Sequence, residues 1–204
     1  MLRHGATDWN LTRRAQGLAD VELDELGQRQ AREAAGRLRL VPLDAVFSSA
    51  LRRAIDTARP IAEGHGLEVQ MDPRFNEIDQ GEWTGLTTKE IGERWPDLWG
   101  AARHYSARPG GESPAQVRAR ALEGVRSVVD GYPDGTVVIV SHGGTIRWVS
   151  AEALGFDDRE SMTIRGLRNG EFVSLTGRVD GDRLVLGELA RPDGSSVSLD
   201  DPND

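Results

Sequence analysis

The chain is expected to fold as an α/β protein, a three-layer α/β/α sandwich around a mostly parallel sheet with right-handed crossovers. Three observations predict this. Short apolar runs suited to buried strands alternate with stretches of helical period between residues 24 and 155. Thr136-Val137-Val138-Ile139-Val140 is apolar on both faces, as a parallel strand covered by helices must be. Two apolar segments break into Arg3-His4-Gly5 and Ser141-His142-Gly143-Gly144, as tight loops do at the carboxyl edge of such a sheet.

Met1 and Leu2 alone precede Arg3. A buried central strand usually runs about five or six residues, so the native strand is expected to begin further upstream, with Met1 internal. Asp8 to Val21 reads as a polar loop. Asp24 stands at an N-cap position, and Ala31, Ala34, Ala35 and Leu38 follow at helical spacing, giving a helix that ends near Leu40. Ala45 to Ser49 is a short buried strand. Ala54, Ile55, Ala58, Ile61 and Ala62 mark a second helix, which Pro60 should kink or restart and Gly64 and Gly66 should end. Leu67 to Met71 is an edge strand.

Residues 84–111 leave the alternation. Thr88 to Arg94 is helical and Pro96 stops it; Trp95, Leu98, Trp99 and Tyr105 follow. This stretch is expected to form a small cap-like helical insertion over the sheet's carboxyl edge, its aromatics packing it onto the body. Ser113 caps the next helix, with Pro114 at its first position and Val117, Ala121, Val125 and Val128 on one face. Pro133-Asp134-Gly135 is a turn into the apolar strand. The helix after His142 turns Ile146, Val149, Ala153 and Leu154 inward and ends at Gly155. Beyond the Asn169-Gly170 turn, alternation around Phe172 to Leu175 and Arg183 to Leu189, with Gly181-Asp182 between, predicts an antiparallel hairpin near the sheet edge.

The length of 204 residues suits one domain, expected over 1–191, followed by a disordered tail rich in Pro, Gly, Ser and Asp over 192–204. Hydrophobic content of 38% and a mean hydropathy of −0.47 describe an ordinary globular chain. No apolar run reaches membrane-spanning length and no secretory signal is visible, so no membrane partner is expected and the cytoplasm is the expected location. There are no cysteines, which excludes disulfides and thiolate metal sites. A net charge of −8 disfavours nucleic acid as a partner. A homodimer is left open.

Gly5 is expected to let the backbone turn sharply and approach a ligand closely. A guanidinium beside an imidazole suits phosphate: the arginine grips oxygens, and a neutral imidazole can attack phosphorus. The triplet alone is also what a buried structural pair would show. Further stretches join it in order: Arg3-His4-Gly5-x-Thr7-x-x-Asn10, Arg14-Ala15-Gln16-Gly17, Ser48 to Ala58, Asn76 to Gly85, and Val140-Ser141-His142-Gly143.

Together these resemble the histidine phosphatase superfamily, in its phosphoglycerate-mutase-like branch. The resemblance implies that His4 is a nucleophile forming a phosphohistidine by in-line displacement. Arg3, Arg53 and His142 would bind the three equatorial phosphoryl oxygens, with His142 protonated or donating to the oxyanion. Glu77 would be the general acid, with Asp79 and Glu82 as nearby rivals. Arg53, not the adjacent Arg52, matches the catalytic position. Asn10, Gln16 and Gly17 match substrate or phosphate contacts, and the Gly143 amide at a helix N-terminus is a further donor. No metal and no cofactor are expected, and the partner is a small-molecule phosphoester whose charge calls for local positive potential on an acidic chain. Ser113 is explained by capping, His65 is expected at the surface, and His104 lies in the insertion.

Hydrolysis is favoured over a mutase activity because mutases of this branch carry a longer insertion; a catalytically silent phospho-ligand-binding protein is the other alternative. The wording around Arg3, Leu51 to Ala58, Gly81 to Thr87 and Gly110 to Ser113 also looks like the glucosyl-3-phosphoglycerate phosphatases within the family.

Overall fold

The computed structural model describes residues 1–100 and 105–190, so His104 and the 192–204 tail lie outside the described residues. Four strands, β1 (Leu2–Arg3), β2 (Ala45–Ser48), β3 (Val69–Met71) and β4 (Val137–Ser141), pair in parallel in the order β1-β4-β2-β3. The helices are α1 (Asp8–Leu11), α2 (Glu25–Leu38), α3 (Arg52–His65), α4 (Thr88–Arg94), α5 (Pro96–Trp99), α6 (Pro114–Gly131) and α7 (Gly143–Leu154). The expected α/β sandwich is the fold observed.

The period-2 alternation of β4 divides the core between two layers. Val138 and Val140 pack with Val46, Leu2, Ala34, Ala58 and Ile61 on the α2/α3 side. Ile139 faces the other way, onto Phe75, Ala121, Val125 and Val149 of the α6/α7 side. Each fully buried Val, Ile or Phe contributes about 1.5–3 kcal/mol, so both layers press the sheet into one register. In that register Leu2 pairs with Val140 and Arg3 with Ser141.

Local signals set most helix ends. The Asp24 carboxylate accepts from the Gly27 amide, and Ser113 forms a capping box with Gln116. Gly66 and Gly155 close α3 and α7 at φ of 67° and 69°.

Several expectations are corrected. β1 is an edge of the four-stranded sheet, not a central strand; an antiparallel bridge from Leu2 to Phe172 flanks it. The loop after Gly5 begins with a helical turn, α1, because the Thr7 hydroxyl and the Asn10 side chain form a capping box. Pro60 lies within α3 without ending it, and Gly64 is inside that helix. Pro96 does stop α4 but starts α5 at its first position. Leu154 is exposed at the end of α7. The expected antiparallel hairpin is present as β5 (Ser174–Asp180) and β6 (Arg183–Ala190), paired as a two-stranded sheet. Its Leu175, Leu184 and Leu186 pack on the α6/α7 core.

Candidate active site

Parallel pairing of β1 with β4 sends both chains out at the same carboxyl edge, and the next residues are His4 and His142. The His4 amide donates to the Ser141 carbonyl at 3.0 Å, continuing the ladder by one step. The two imidazole centroids are 5.1 Å apart. His4 is 4% exposed and His142 is fully buried.

Each ring has one nitrogen fixed. Nδ1 of His4 donates to the Gly5 carbonyl at 2.7 Å, which leaves the Nε2 lone pair free. Nε2 of His142 meets the Ser49 hydroxyl at 2.7 Å. Its Nδ1 is buried without a hydrogen-bond partner among the described residues. Burial, then Arg53, then Arg3 hold His4 well below the ordinary histidine pKa, against the Gly5 hydrogen bond. Burial, then Arg53, His4, Arg3 and Arg120 do the same for His142. Both shifts favour the neutral ring, so of the two forms expected of His142, protonated or donating, they favour the donating one.

Arg53 is 1% exposed, and burial lowers its pKa to about 10, with Glu77 and Asp20 opposing. Its Nη1 and Nη2 donate to the carbonyls of Ala19 and Gly17 at 2.8 Å each. Nε remains without a hydrogen-bond partner among the described residues. Arg52 points away, ion-paired to Glu22. Arg3 lies against Gly143, and its Nη1 donates to the Leu167 carbonyl.

Beside these buried groups opens a cleft of about 900 Å³ whose lining includes Arg3, Asn10, Glu77 and Gly143 but not His4, Arg53 or His142. The structure thus brings Arg3, His4, Arg53, Glu77, His142, Asn10 and Gly143 to one sheet edge. Glu77 Oε2 accepts from the Gly144 amide at 3.3 Å, and Oε1 from its own neighbour Ile78 at 2.9 Å. Asp79 and Glu82 do not line the cleft. Asp79 caps the Gly81 amide, and Glu82 is exposed.

Gln16 is buried beside the loop, with Oε1 lacking a hydrogen-bond partner among the described residues. Gly17 holds Arg53 through its carbonyl and, at φ 51°, passes so close to Gln80 that a Cβ would come within 2.9 Å. Gly5 also serves the packing: a Cβ there would lie 2.4 Å from the Gly27 carbonyl, so the backbone makes a close approach to α2. His65 is half-buried, its two nitrogens facing the carbonyls of Ile61 and Val41.

Sequence reasoning missed the groups that hold this loop. Thr57 accepts from the Gly5 amide at 3.0 Å and donates to the Arg53 carbonyl at 2.7 Å. Asn169 donates to the carbonyls of His4 and Gly5 and to Asn10. It missed the rim as well. Besides Arg3, the cleft is lined by Arg13, Arg14, Arg108, Arg147 and Arg168, with Glu77 as the sole carboxylate among the lining residues. Trp83 and Trp99 form one wall, their rings 5.7 Å apart, and Arg108 stacks 4.8 Å over Trp83. Trp99 therefore lines the cleft in addition to packing the insertion.

Residues 1–188 match the sequence model of the histidine phosphatase superfamily (branch 1). A glucosyl-3-phosphoglycerate phosphatase of Mycobacterium tuberculosis is 40% identical over 188 residues, covering 87% of this chain and 84% of its own length. Phosphoserine phosphatase 1 of Hydrogenobacter thermophilus is 38% identical over 160 residues, covering 77% and 76%. The solved mycobacterial glucosyl-3-phosphoglycerate phosphatase in complex with VO3 is similar at a TM-score of 0.84 and 37% identity, covering 93% of this chain and 95% of that one.

Proposed function

The chain belongs to the histidine phosphatase superfamily, and from that premise we propose that this phosphatase hydrolyses a phosphomonoester through a phosphohistidine on His4. The observation that carries the reading is the His4 ring: its proton is tied to the Gly5 carbonyl at Nδ1, and burial with two guanidinium groups keeps it neutral. The Nε2 lone pair attacks phosphorus as the ester P–O bond breaks. The electrons of that bond go to the leaving oxygen, which takes a proton from the Glu77 carboxyl. A water then attacks the phosphohistidine, Glu77 takes its proton, and the N–P electrons return to Nε2.

Arg3, Arg53 and His142 stabilise the charge on the equatorial oxygens. Neutral His142 does so by donating from Nδ1, with the Ser49 hydroxyl, which accepts from the Leu51 amide, giving its own hydrogen to Nε2. Preorganised guanidinium groups supply the positive charge that a metal would otherwise bring. Asn10, Gln16, Gly17 and the Gly143 amide complete the phosphate and substrate contacts. Residues 84–111 act as a small cap, contributing Thr88, Ile91, Trp99 and Arg108 to the cleft.

The rim favours a substrate with a second anionic group. Six arginines face a single carboxylate on a chain of net charge −8, a concentration of charge beyond what one phosphoryl group needs. The two tryptophans suit an organic arm. A phosphoglycerate derivative, bare or sugar-linked, has both features. The named relatives act on glucosyl-3-phosphoglycerate and phosphoserine, which carry a carboxylate beside the phosphate. The cleft includes exposed Arg13, Arg14 and Arg168 and so admits water, which favours hydrolysis over mutase transfer.

A panel of phosphorylated metabolites compared by kcat/KM tests the substrate. Carboxylate-bearing esters should exceed neutral sugar phosphates by about tenfold or more; equal values would remove the second-anion reading. Acid-quenched enzyme should carry a phosphoryl group that is absent in His4→Ala. A His4→Ala enzyme within tenfold of the parent would sink the mechanism.

A further inference from the structure

Arg120, on α6, does not line the cleft, yet it grips the segment that carries Glu77. That segment runs from the 3-10 turn Pro73–Phe75 to the next at Gly81–Trp83 and contains no strand or α-helix. Its carbonyls therefore have no ladder to join, and side chains take them instead. Arg120 Nη1 donates to the carbonyls of Arg74 at 2.8 Å and Asn76 at 2.7 Å, and Nη2 to that of Glu77 at 3.0 Å. Ser141 donates to the Phe75 carbonyl at 2.7 Å, and Thr145 to that of Asn76 at 2.8 Å.

The two remaining donors of the fork go to Glu112: Nε to Oε1 and Nη2 to Oε2, both at 2.8 Å. Glu112 continues the clamp. Its Oε2 accepts from the Asp79 amide at 2.9 Å, and its own amide donates to the Asp79 carbonyl at 3.0 Å. Every N–H of the guanidinium is used, in a planar pattern that lysine cannot reproduce.

We propose that Arg120, ion-paired to Glu112, is a positioning residue for the reaction. It fixes the backbone of residues 74–79 so that the Glu77 carboxyl stands between the cleft and the Gly144 amide. The inference rests on the reading of Glu77 as proton donor. A displacement of about 1 Å at such a group can cost about 10²-fold. That cost falls on leaving groups that need a proton and spares those that do not.

The test compares kcat/KM, which reports the steps through phosphoryl transfer, on 3-phosphoglycerate and on 4-nitrophenyl phosphate. The variants are Arg120→Met, Arg120→Lys and Glu112→Gln, with Glu77→Gln as reference. Arg120→Met should fall about 10²-fold on the alkyl ester and less than about tenfold on the aryl ester. Arg120→Lys and Glu112→Gln should shift the ratio in the same sense by less. Loss of folded protein lowers both rates equally and leaves the ratio untouched, so a merely structural role does not imitate the result. An unchanged ratio in Arg120→Met and Glu112→Gln, beside a shifted ratio in Glu77→Gln, overturns the role of Arg120 and keeps that of Glu77. An unchanged ratio in Glu77→Gln itself removes the proton-donor reading, and this inference with it.

Discussion

The Ser49 hydroxyl stands 2.7 Å from Nε2 of His142 while accepting the Leu51 amide at 3.3 Å. In the proposed mechanism this hydroxyl donates to Nε2, which leaves the proton of the buried imidazole on Nδ1. The hydrogen bond proposed from His142 to a phosphoryl oxygen would then depend on Ser49.

Ser49→Ala should therefore lower kcat/KM by about ten- to hundredfold, the cost of a buried group left without its partner. His142 would then sample both tautomers. Steady-state rates on any good substrate check this, and an unchanged kcat/KM would show that Ser49 only fills space.

Stability should fall on mild acidification. His4 and His142 are held neutral in the folded chain, well below the ordinary value of about 6.5. Below that value the unfolded chain takes up protons that the folded one refuses. Each histidine then costs up to about 1.4 kcal/mol per pH unit, until its own depressed pKa is reached. Urea midpoints measured from pH 7.5 to 5.5 should drop, and His142→Asn should flatten the slope. A midpoint that rises or stays level in the parent protein would contradict the depressed values.

Glu77→Gln should separate the two chemical steps. Loss of the proton donor should cost an alkyl phosphate about 10²–10⁴-fold. A nitrophenolate leaves unaided, so His4 is still phosphorylated and the slow step becomes attack by water. Rapid mixing should show a burst of nitrophenolate close to one per active site. An equal loss on both esters with no burst would mean that Glu77 is not the donor.

Gly5→Ala should destabilise the protein strongly even though it adds only a methyl group. The new Cβ would lie 2.4 Å from the Gly27 carbonyl, backbone that cannot swing aside as a side chain can. Overpacking of this kind costs about 1–3 kcal/mol or more. Gly27→Ala, 2.1 Å from the Ala6 carbonyl, should behave alike. Thermal unfolding of the two variants measures it.

Much of this was legible where the cause is local. The caps Asp24 and Ser113 act across three residues, and the parallel strand 137–141 declares itself by being apolar on both faces. The two histidines could be found because each follows an apolar run and precedes a glycine. What could not be read is what crosses the chain. Thr57 supports Gly5 from 52 positions away, and Asn169 reaches the His4 carbonyl across 165. Threonine and asparagine occur in loops for many local reasons, so neither stands out beforehand. Gly5 was visible as a glycine, but its neighbour Gly27 emerges only once α2 is docked. Leu154 misled because it continues the inward face of α7 one turn past the point where that face is still covered.

The pairing of Arg3 with Ser141 also fixes when the site can exist. The two imidazoles are brought together by the first and last strands of the parallel sheet, and loop closure of that span precedes any reward from the contacts it makes. A chain still being synthesised holds His4 long before it holds a partner for it. Only after β4 has emerged and β1 has docked beside it do the paired rings form, so in refolding, activity should return with the final closure of the sheet and not with the earlier appearance of helix.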